Sequence, residues 1–185
     1  MRGKPASGIG GRNMLLKITR YADLDERALM DVYSESNFEN TDHFFPDETD
    51  KAAAVRMVEE GFLDYLNRDF FRQNEAVYWI LQEDGVWVSA LRTCRINDLY
   101  WLEALETRPD RRGGGCASRL LSAVTDTMKG AGPFRLCDCV DKKNAASLHV
   151  HEKCGFRIVS EAGYDHMLQE ADDRDYGLEY SYTGD

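Results

Sequence analysis

The sequence lacks any apolar run long enough to cross a bilayer, and its N-terminus lacks the basic start and apolar stretch of a secretory signal. Cysteine is scarce, with five residues, an odd number, lying inside apolar segments rather than at the spacings of a disulfide framework. These absences argue against a membrane partner and a disulfide scaffold. We therefore expect a cytoplasmic protein.

Basic residues are outnumbered, since 23 Lys and Arg face 33 Asp and Glu, for a net charge of -10. Lys and Arg form no long stripe, and a phosphate backbone would repel the chain overall. Nucleic acid is thus not an expected partner. The acidity is compatible with a cationic substrate, but solubility explains it equally well.

The chain of 185 residues is 43% hydrophobic, which suits one domain with a sizeable core. Residues 1–13 are rich in glycine and basic residues and show no periodicity. We interpret them as a leader or cloning-derived tail, expect them to be disordered, and place the single domain at 14–185.

Patterning predicts a strand at Leu15–Tyr21 and a helix that begins at Asp23. Turn-forming residues occupy Asn37–Asp47, and a second helix is predicted through about Phe71 from the spacing of Val55, Val58, Phe62 and Leu66. Further strands are predicted at Val77–Leu81, Val86–Cys94, Leu99–Thr107, Phe134–Val140, Phe156–Val159 and Leu178–Tyr182, and further helices at Ala117–Gly130 and Asn144–Cys154. The pattern is typical of a mixed α/β domain.

A glycine-rich loop, Arg112-Gly113-Gly114-Gly115-Cys116-Ala117, joins a strand to the clearest helix. Glycines allow backbone angles closed to other residues, so several N–H groups can point into one concavity beside the positive end of the helix. This favours a pyrophosphate site over a plain connector. A Gly-Lys-Ser/Thr ending is absent, and the sixth position of a GxGxxG count is Ser118, so two common nucleotide loops do not fit.

Two motifs resemble the GNAT family of N-acetyltransferases. Pro109, Arg112, Gly115 and Ala117 match its Arg/Gln-x-x-Gly-x-Gly/Ala motif with a preceding proline, and Asn144–Phe156 resembles its Asn…Tyr-Glu-Lys-x-Gly-Phe segment. The resemblance covers about Leu99–Val159. It implies a largely antiparallel central sheet, flanked by helices, whose splayed strands open a slot for acetyl-CoA.

What the resemblance implies for function is acetyl transfer from acetyl-CoA, a co-substrate, to a primary amine by direct attack in a ternary complex, without a metal. The acceptor would be a small molecule or peptide, and the protein a monomer or homodimer. The residues implied to bind the cofactor are Leu105, Glu106, Thr107, Arg112, Gly113, Gly114, Gly115, Cys116, Ala117, Ser118, Asn144 and Ser147.

Amine acetylation needs a base, and the implied candidates are Glu103 and Glu106, which alternation would point to opposite faces. His151 stands where the family usually has a tyrosine acid; a histidine can also donate a proton near neutral pH, or only pack there. Counted from Asn144, the spacing places Ser147 and His151 on one helix face, expected to be the cofactor face.

Other interpretations remain open. Cys137, Cys139, His149 and His151 resemble metal ligands by type, but histidines two apart on a helix diverge, so we expect no metal site. A non-catalytic acyl-CoA sensor of the same fold and an unrelated nucleotide-binding protein are alternatives. Acidic residues would suit a cationic amine or merely form an exposed face: Glu35, Glu39, Asp42, Asp47, Glu48 and Asp50.

Overall fold

The computed structural model describes residues 13–184, and the sequence forms one mixed sheet of seven strands in the order β1-β2-β3-β4-β5-β9-β6, with β7 and β8 in a separate hairpin. All neighbouring strands in the large sheet are antiparallel except β4 and β5. The strands are β1 Asn13–Ile18, β2 Val77–Glu83, β3 Val86–Ile96, β4 Leu99–Thr107, β5 Phe134–Asp141, β6 Arg157–Ser160, β7 Gly163–Asp165, β8 Glu170–Asp172 and β9 Asp175–Tyr182.

The helices flank this sheet, and aspartates begin two of them. Asp25 accepts a hydrogen bond from the backbone N–H of Ala28, and Asp50 accepts from those of Ala52 and Ala53, so each carboxylate satisfies amides of a first turn. The helices are α1 Glu26–Val32, α2 Ser34–Glu39, α3 Thr41–Phe44, α4 Lys51–Arg68, α5 Cys116–Lys129 and α6 Ala145–Lys153.

Two hydrophobic cores lie on opposite faces of the sheet. One contains Leu29 of α1, Leu66 of α4 and Tyr78 of β2. The other packs Leu120 and Leu121 of α5 against the reverse face. A sheet with helices on both faces buries both sets of alternating side chains, which explains why the central strands are almost continuously apolar.

The sheet is splayed between β4 and β5. The parallel strands pair only at Tyr100 with Leu136 and at Trp101 with Cys137. Beyond Trp101, the edge of β4 that faces β5 pairs with no strand among residues 13–184, so residues 102–107 border an opening in the sheet. The splay implied by the sequence motifs is confirmed.

A β-bulge interrupts β4 beside this opening. Arg92 of β3 pairs with Glu103 and Ala90 pairs with Glu106, so two residues of β4 oppose one of β3, and Ala104 adopts φ 54°. Positions two apart on β3 share a face, so their partners Glu103 and Glu106 also share one. The expectation that these carboxylates point to opposite faces is wrong, because alternation was counted through a bulge.

Most strands and the two helices of the C-terminal half match the predicted positions within a few residues. The first helix begins at Glu26 rather than Asp23, because Asp25 is its cap. The segment 37–47, predicted as turns, is largely helical up to Phe44, because α2 and α3 cover that part, and the hairpin of β7 and β8 was not predicted. Residues 1–12 of the proposed leader lie outside the described residues, while Asn13 begins β1.

Candidate active site

The glycine loop forms a tight backbone turn at the start of α5. Gly113 and Gly115 both have φ of 74°, and Gly115 is the N-cap of α5. Because this N-cap residue has no side chain to cap the helix, the N–H groups of the first turn keep their capacity to bind a ligand. A Cβ added at either glycine would meet no atom of the described residues within 4 Å, so the surface above the loop is open to them. The loop therefore fits an anion such as a pyrophosphate.

A groove of about 640 Å³, here called the loop groove, runs between the end of β4, the glycine loop and α6. Eleven of the twelve residues implied to bind the cofactor line it, and the exception is Gly114. A Cβ on Gly114 would contact the Arg111 carbonyl at 3.5 Å, so this residue faces the protein. The eleven are Leu105, Glu106, Thr107, Arg112, Gly113, Gly115, Cys116, Ala117, Ser118, Asn144 and Ser147.

Arg112 ties the loop to two other elements. Its guanidinium forms an ion pair with Glu35 of α2, and its Nη2 lies 3.1 Å from Oε1 of Glu106. Its Nε donates to the backbone carbonyl of Thr107 at 3.2 Å. Arg112 thus holds α2, the end of β4 and the glycine loop together around the loop groove.

Asn144 begins α6, and its side-chain Oδ1 accepts a hydrogen bond from the backbone N–H of Ser147 at 3.0 Å. The side-chain amide of Asn144 remains able to donate into the loop groove, which this residue lines. The residue therefore has two separable functions, a helix cap through its oxygen and a potential ligand donor through its nitrogen.

A second groove of about 600 Å³ lies on the other side of β4, under α2, α3 and α4. We call it the aromatic groove, since its wall includes Tyr33, Phe44, Phe45, Phe62 and Tyr65. The two grooves share wall residues Leu105 and Glu106.

Glu106 stands where the grooves meet. Its Oε1 accepts a hydrogen bond from the backbone N–H of Thr107 at 3.0 Å and lies beside Arg112. About a quarter of the side chain is exposed, at 23%. Glu106 is therefore a carboxylate in contact with both grooves.

Glu103 is differently placed. Its Oε2 accepts from Nε of Arg92 at 2.9 Å, in a pair whose side chains are 20% and 12% exposed. Burial alone would lower the pKa of the Arg92 guanidinium, but the neighbouring Tyr78 and Glu103 raise it above its ordinary value. Glu103 lines neither groove. Its carboxylate instead compensates the charge of the mostly buried Arg92 guanidinium.

His151 does not lie on the groove face of α6, which corrects the expected placement. It is fully buried, with Nε2 2.9 Å from Oδ2 of Asp138 and Nδ1 2.8 Å from the carbonyl oxygen of Ser147. The spacing does bring the Ser147 hydroxyl within 3.3 Å of Nδ1 of His151, but the imidazole is turned to Asp138 of β5 and not to the groove. The acid role of His151 stays a prediction from the motif alone.

Some groove residues were not predicted. His149 is exposed and lines the loop groove, although its only role considered was as a metal ligand. Tyr33 donates to the Ala104 carbonyl at 2.5 Å, and Tyr78 donates to the Tyr33 hydroxyl at 2.8 Å. Burial raises the pKa of Tyr33 well above its ordinary value. Sequence carries no signal for this chain of contacts, because the tyrosines look like ordinary core residues.

Residues 13–184 contain neither a metal-binding cluster nor a membrane-spanning helix. No group of three or more His, Cys, Asp or Glu side chains is arranged to hold a metal ion within this range. Over the same residues, no helix is long and apolar enough to span a membrane.

Comparison with known proteins identifies the family. The model of the acetyltransferase (GNAT) family matches residues 27–156, more than half of the chain. This chain belongs to the GNAT family. The matched range contains the glycine loop, α6 and both base candidates, and it begins with α1, so it extends well beyond the two motifs that carried the resemblance.

Solved GNAT structures share the fold at low sequence identity. The PaiA N-acetyltransferase of Thermoplasma acidophilum, in complex with coenzyme A, is 17% identical with a TM-score of 0.62, covering 92% of this chain and 99% of that one. The ribosomal-protein-S18-alanine N-acetyltransferase of Escherichia coli is 18% identical with a TM-score of 0.61, covering 94% and 96%.

A curated relative matches a shorter segment. The L-amino acid N-acyltransferase MnaT of Escherichia coli (strain K12) is 32% identical over 53 residues. That segment is 29% of this chain and 31% of the relative, so the match spans about a third of the relative's length.

Proposed function

We propose that this protein is an acetyl-CoA-dependent N-acetyltransferase in which a primary amine attacks the thioester directly within a ternary complex. The observation that carries the proposal is the meeting of the two grooves at Leu105 and Glu106. A donor in the loop groove and an acceptor in the aromatic groove would meet across the same stretch of β4. Direct transfer needs this proximity and no covalent enzyme intermediate.

The loop groove fits acetyl-CoA through its own backbone. The left-handed turns at Gly113 and Gly115 and the uncapped first turn of α5 supply amides for the pyrophosphate. Asn144 and the unpaired edge of β4 would hold the pantetheine arm. When bound, acetyl-CoA supplies an activated acyl group.

Glu106 is the proposed base, because it is the candidate carboxylate that reaches both grooves. The amine nitrogen forms a bond to the carbonyl carbon, the carbon–sulfur bond breaks, and its electron pair leaves on sulfur. Glu106 takes the first proton, which the ammonium group must lose before attack, directly or through water, and the second proton, which the nitrogen loses after the new bond has formed, passes to solvent. Solvent supplies the proton that the thiolate takes up.

Backbone amides at the end of β4 would stabilise the developing negative charge on the carbonyl oxygen. The N–H of Thr107 is one candidate, and the Glu106 carboxylate accepts from it at 3.0 Å. Rotation of Glu106 towards an ammonium group in the aromatic groove would release this N–H for the donor. The Glu106 side chain would thus couple binding of the acceptor to release of the Thr107 N–H for the donor carbonyl.

The test combines binding and turnover. Calorimetry with acetyl-CoA measures donor binding, and release of the CoA thiol with a panel of primary amines measures transfer. We expect acetyl-CoA to bind, and Glu106→Gln to lower turnover by about a hundredfold or more with little change in donor affinity. Glu60→Gln, at an exposed position of α4 outside both grooves, is the control that should keep full activity.

Each failure has a distinct meaning. Donor binding without turnover of any amine would favour the acyl-CoA sensor over an enzyme. Full activity of Glu106→Gln would show that transfer occurs without this base.

A further inference from the structure

The lining of the aromatic groove indicates the chemical class of the acceptor. The groove is walled mainly by apolar side chains, and two of these, Phe44 and Met57, are 58% and 38% exposed. Exposed apolar groups gathered around a concavity are characteristic of ligand sites. The volume of about 600 Å³ is within the range of pockets that take small organic molecules.

Few charged residues line this groove, and they differ in how available they are to a ligand. Arg92 and Glu106 are its charged lining residues in the described chain. Arg92 is engaged with Glu103, and its guanidinium also lies over the rings of Phe62 and Tyr65 at 5.6 and 5.2 Å. A ligand carboxylate would therefore have to displace a buried partner to be compensated.

Acidic groups near the groove are mostly committed elsewhere. Asp42 pairs with Lys51, Glu48 accepts from the backbone N–H of Asp50, and Asp50 caps α4. Glu35 lies on the loop-groove side, paired with Arg112. Glu106 also pairs with Arg112, but it is the acidic residue among the described residues that line the aromatic groove, so it is the negative group that an acceptor ammonium would meet.

We propose that the acceptor is a primary amine carried by an apolar, uncharged group, such as an arylalkylamine, and that it lacks a carboxylate. This inference rests on the proposed acetyl transfer and names its substrate class. The ammonium group lies at Glu106, and the apolar group lies along Phe62, Tyr65 and Met57, where its burial supplies affinity. Amino acids are disfavoured, because the described residues that line the groove provide no unpaired cation for their carboxylate.

A matched series of amines tests this class. We expect kcat/KM for 2-phenylethylamine to exceed that for L-phenylalanine and that for ethanolamine by tenfold or more, about 1.4 kcal/mol for each tenfold step. Phenylalaninamide, which keeps the size and the ammonium group of phenylalanine but lacks its carboxylate charge, should recover most of the kcat/KM that L-phenylalanine loses. Equal or better use of L-phenylalanine, ethanolamine or a lysine-containing peptide would overturn the inference and leave acetyl transfer standing.

A groove-filling variant provides a second test. Gly61 of α4 lines the aromatic groove, and a Cβ added there would meet no atom within 4 Å. Gly61→Leu should keep the fold, since leucine favours a helix more than glycine does. It should raise KM for 2-phenylethylamine at least tenfold without weakening acetyl-CoA binding. Glu60→Leu, one position away and outside the groove, is the matched control. Equal KM values for the two variants would contradict the proposed acceptor site.

The inference has a readout that does not depend on turnover. Calorimetry with CoA present compares the binding of 2-phenylethylamine with that of L-phenylalanine. Tighter binding of the amine, abolished by Gly61→Leu, supports the acceptor class even if acetyl transfer fails. Absence of amine binding, or preference for the amino acid, overturns the class even if the protein acetylates another amine.

Discussion

Tyr33 holds Ala104 in place, since its hydroxyl donates to the Ala104 carbonyl at 2.5 Å across 71 positions of sequence. Ala104 is the bulge residue with φ 54°. The contact connects the end of α1 to the strand segment that both grooves share. A single phenolic hydroxyl therefore supports the backbone conformation that turns Glu106 towards the junction.

Tyr33→Phe should lower both stability and turnover. Removing the hydroxyl leaves the Ala104 carbonyl and the Tyr78 hydroxyl without this partner in a buried region, at a cost of about 1–3 kcal/mol. Urea denaturation and thiol-release kinetics measure the two effects. Tyr78→Phe is the control, because it keeps the contact between Tyr33 and Ala104 and should affect turnover less. An equal loss of turnover in both variants would refute a positioning role for Tyr33.

Gly115→Val should weaken acetyl-CoA binding by roughly tenfold or more, because a β-branched side chain opposes a φ of 74° and extends over the loop groove. Calorimetry measures the change. Gly114→Ala is matched to it, since Gly114 does not have a positive φ and its Cβ would face the Arg111 carbonyl. If the two variants bind acetyl-CoA equally well, the loop is only a connector.

His151→Phe should destabilise the fold by about 3–5 kcal/mol, because it leaves Asp138 as a buried charge without its partner. Chemical denaturation measures this loss. The alternative carried by the motif is an acid role, in which the same variant would instead lose about a hundredfold in turnover while remaining stable. Stability unchanged from the native protein would contradict the buried-pair interpretation.

The same pair should make stability depend on pH. Burial alone would lower the pKa of His151, but the Asp138 carboxylate and the Ser147 carbonyl raise it above the ordinary value. The folded chain then binds this proton more tightly than the unfolded chain. The contribution of His151 is complete below about pH 6.5, the ordinary histidine value, and is lost as pH rises through the raised pKa.

Asp138 also lowers the stability of the fold as pH rises, but in a lower pH range, because burial raises the pKa of its carboxyl above 3.8. We expect the free energy of unfolding to fall as pH rises above about 6.5 and through the raised pKa of His151. The fall should be less steep in the double variant Asp138→Asn/His151→Gln, which removes both titrating groups. Parallel pH profiles for the two proteins would show that the pair does not contribute.

The local parts of the site could be predicted from the sequence. Gly113 and Gly115 predict a backbone with positive φ, and Asn144 predicts a helix N-cap, because these properties depend on a few neighbouring residues. The apolar spacing of α5 and the alternation within the central strands are likewise local. The two motifs carried the family resemblance, and the resemblance in turn implied the splayed sheet.

Only the tertiary structure decided that Glu106, rather than Glu103, lines the two grooves and that His151 is buried. The bulge at Ala104 depends on pairing with β3, so no alternation rule applied to β4 could place Glu103 and Glu106 on one face. His151 occupies a motif position that suggested chemistry, yet Asp138 on β5 draws it into the interior. Such outcomes depend on contacts between residues distant in sequence, whose free energies exceed the preferences of any short segment.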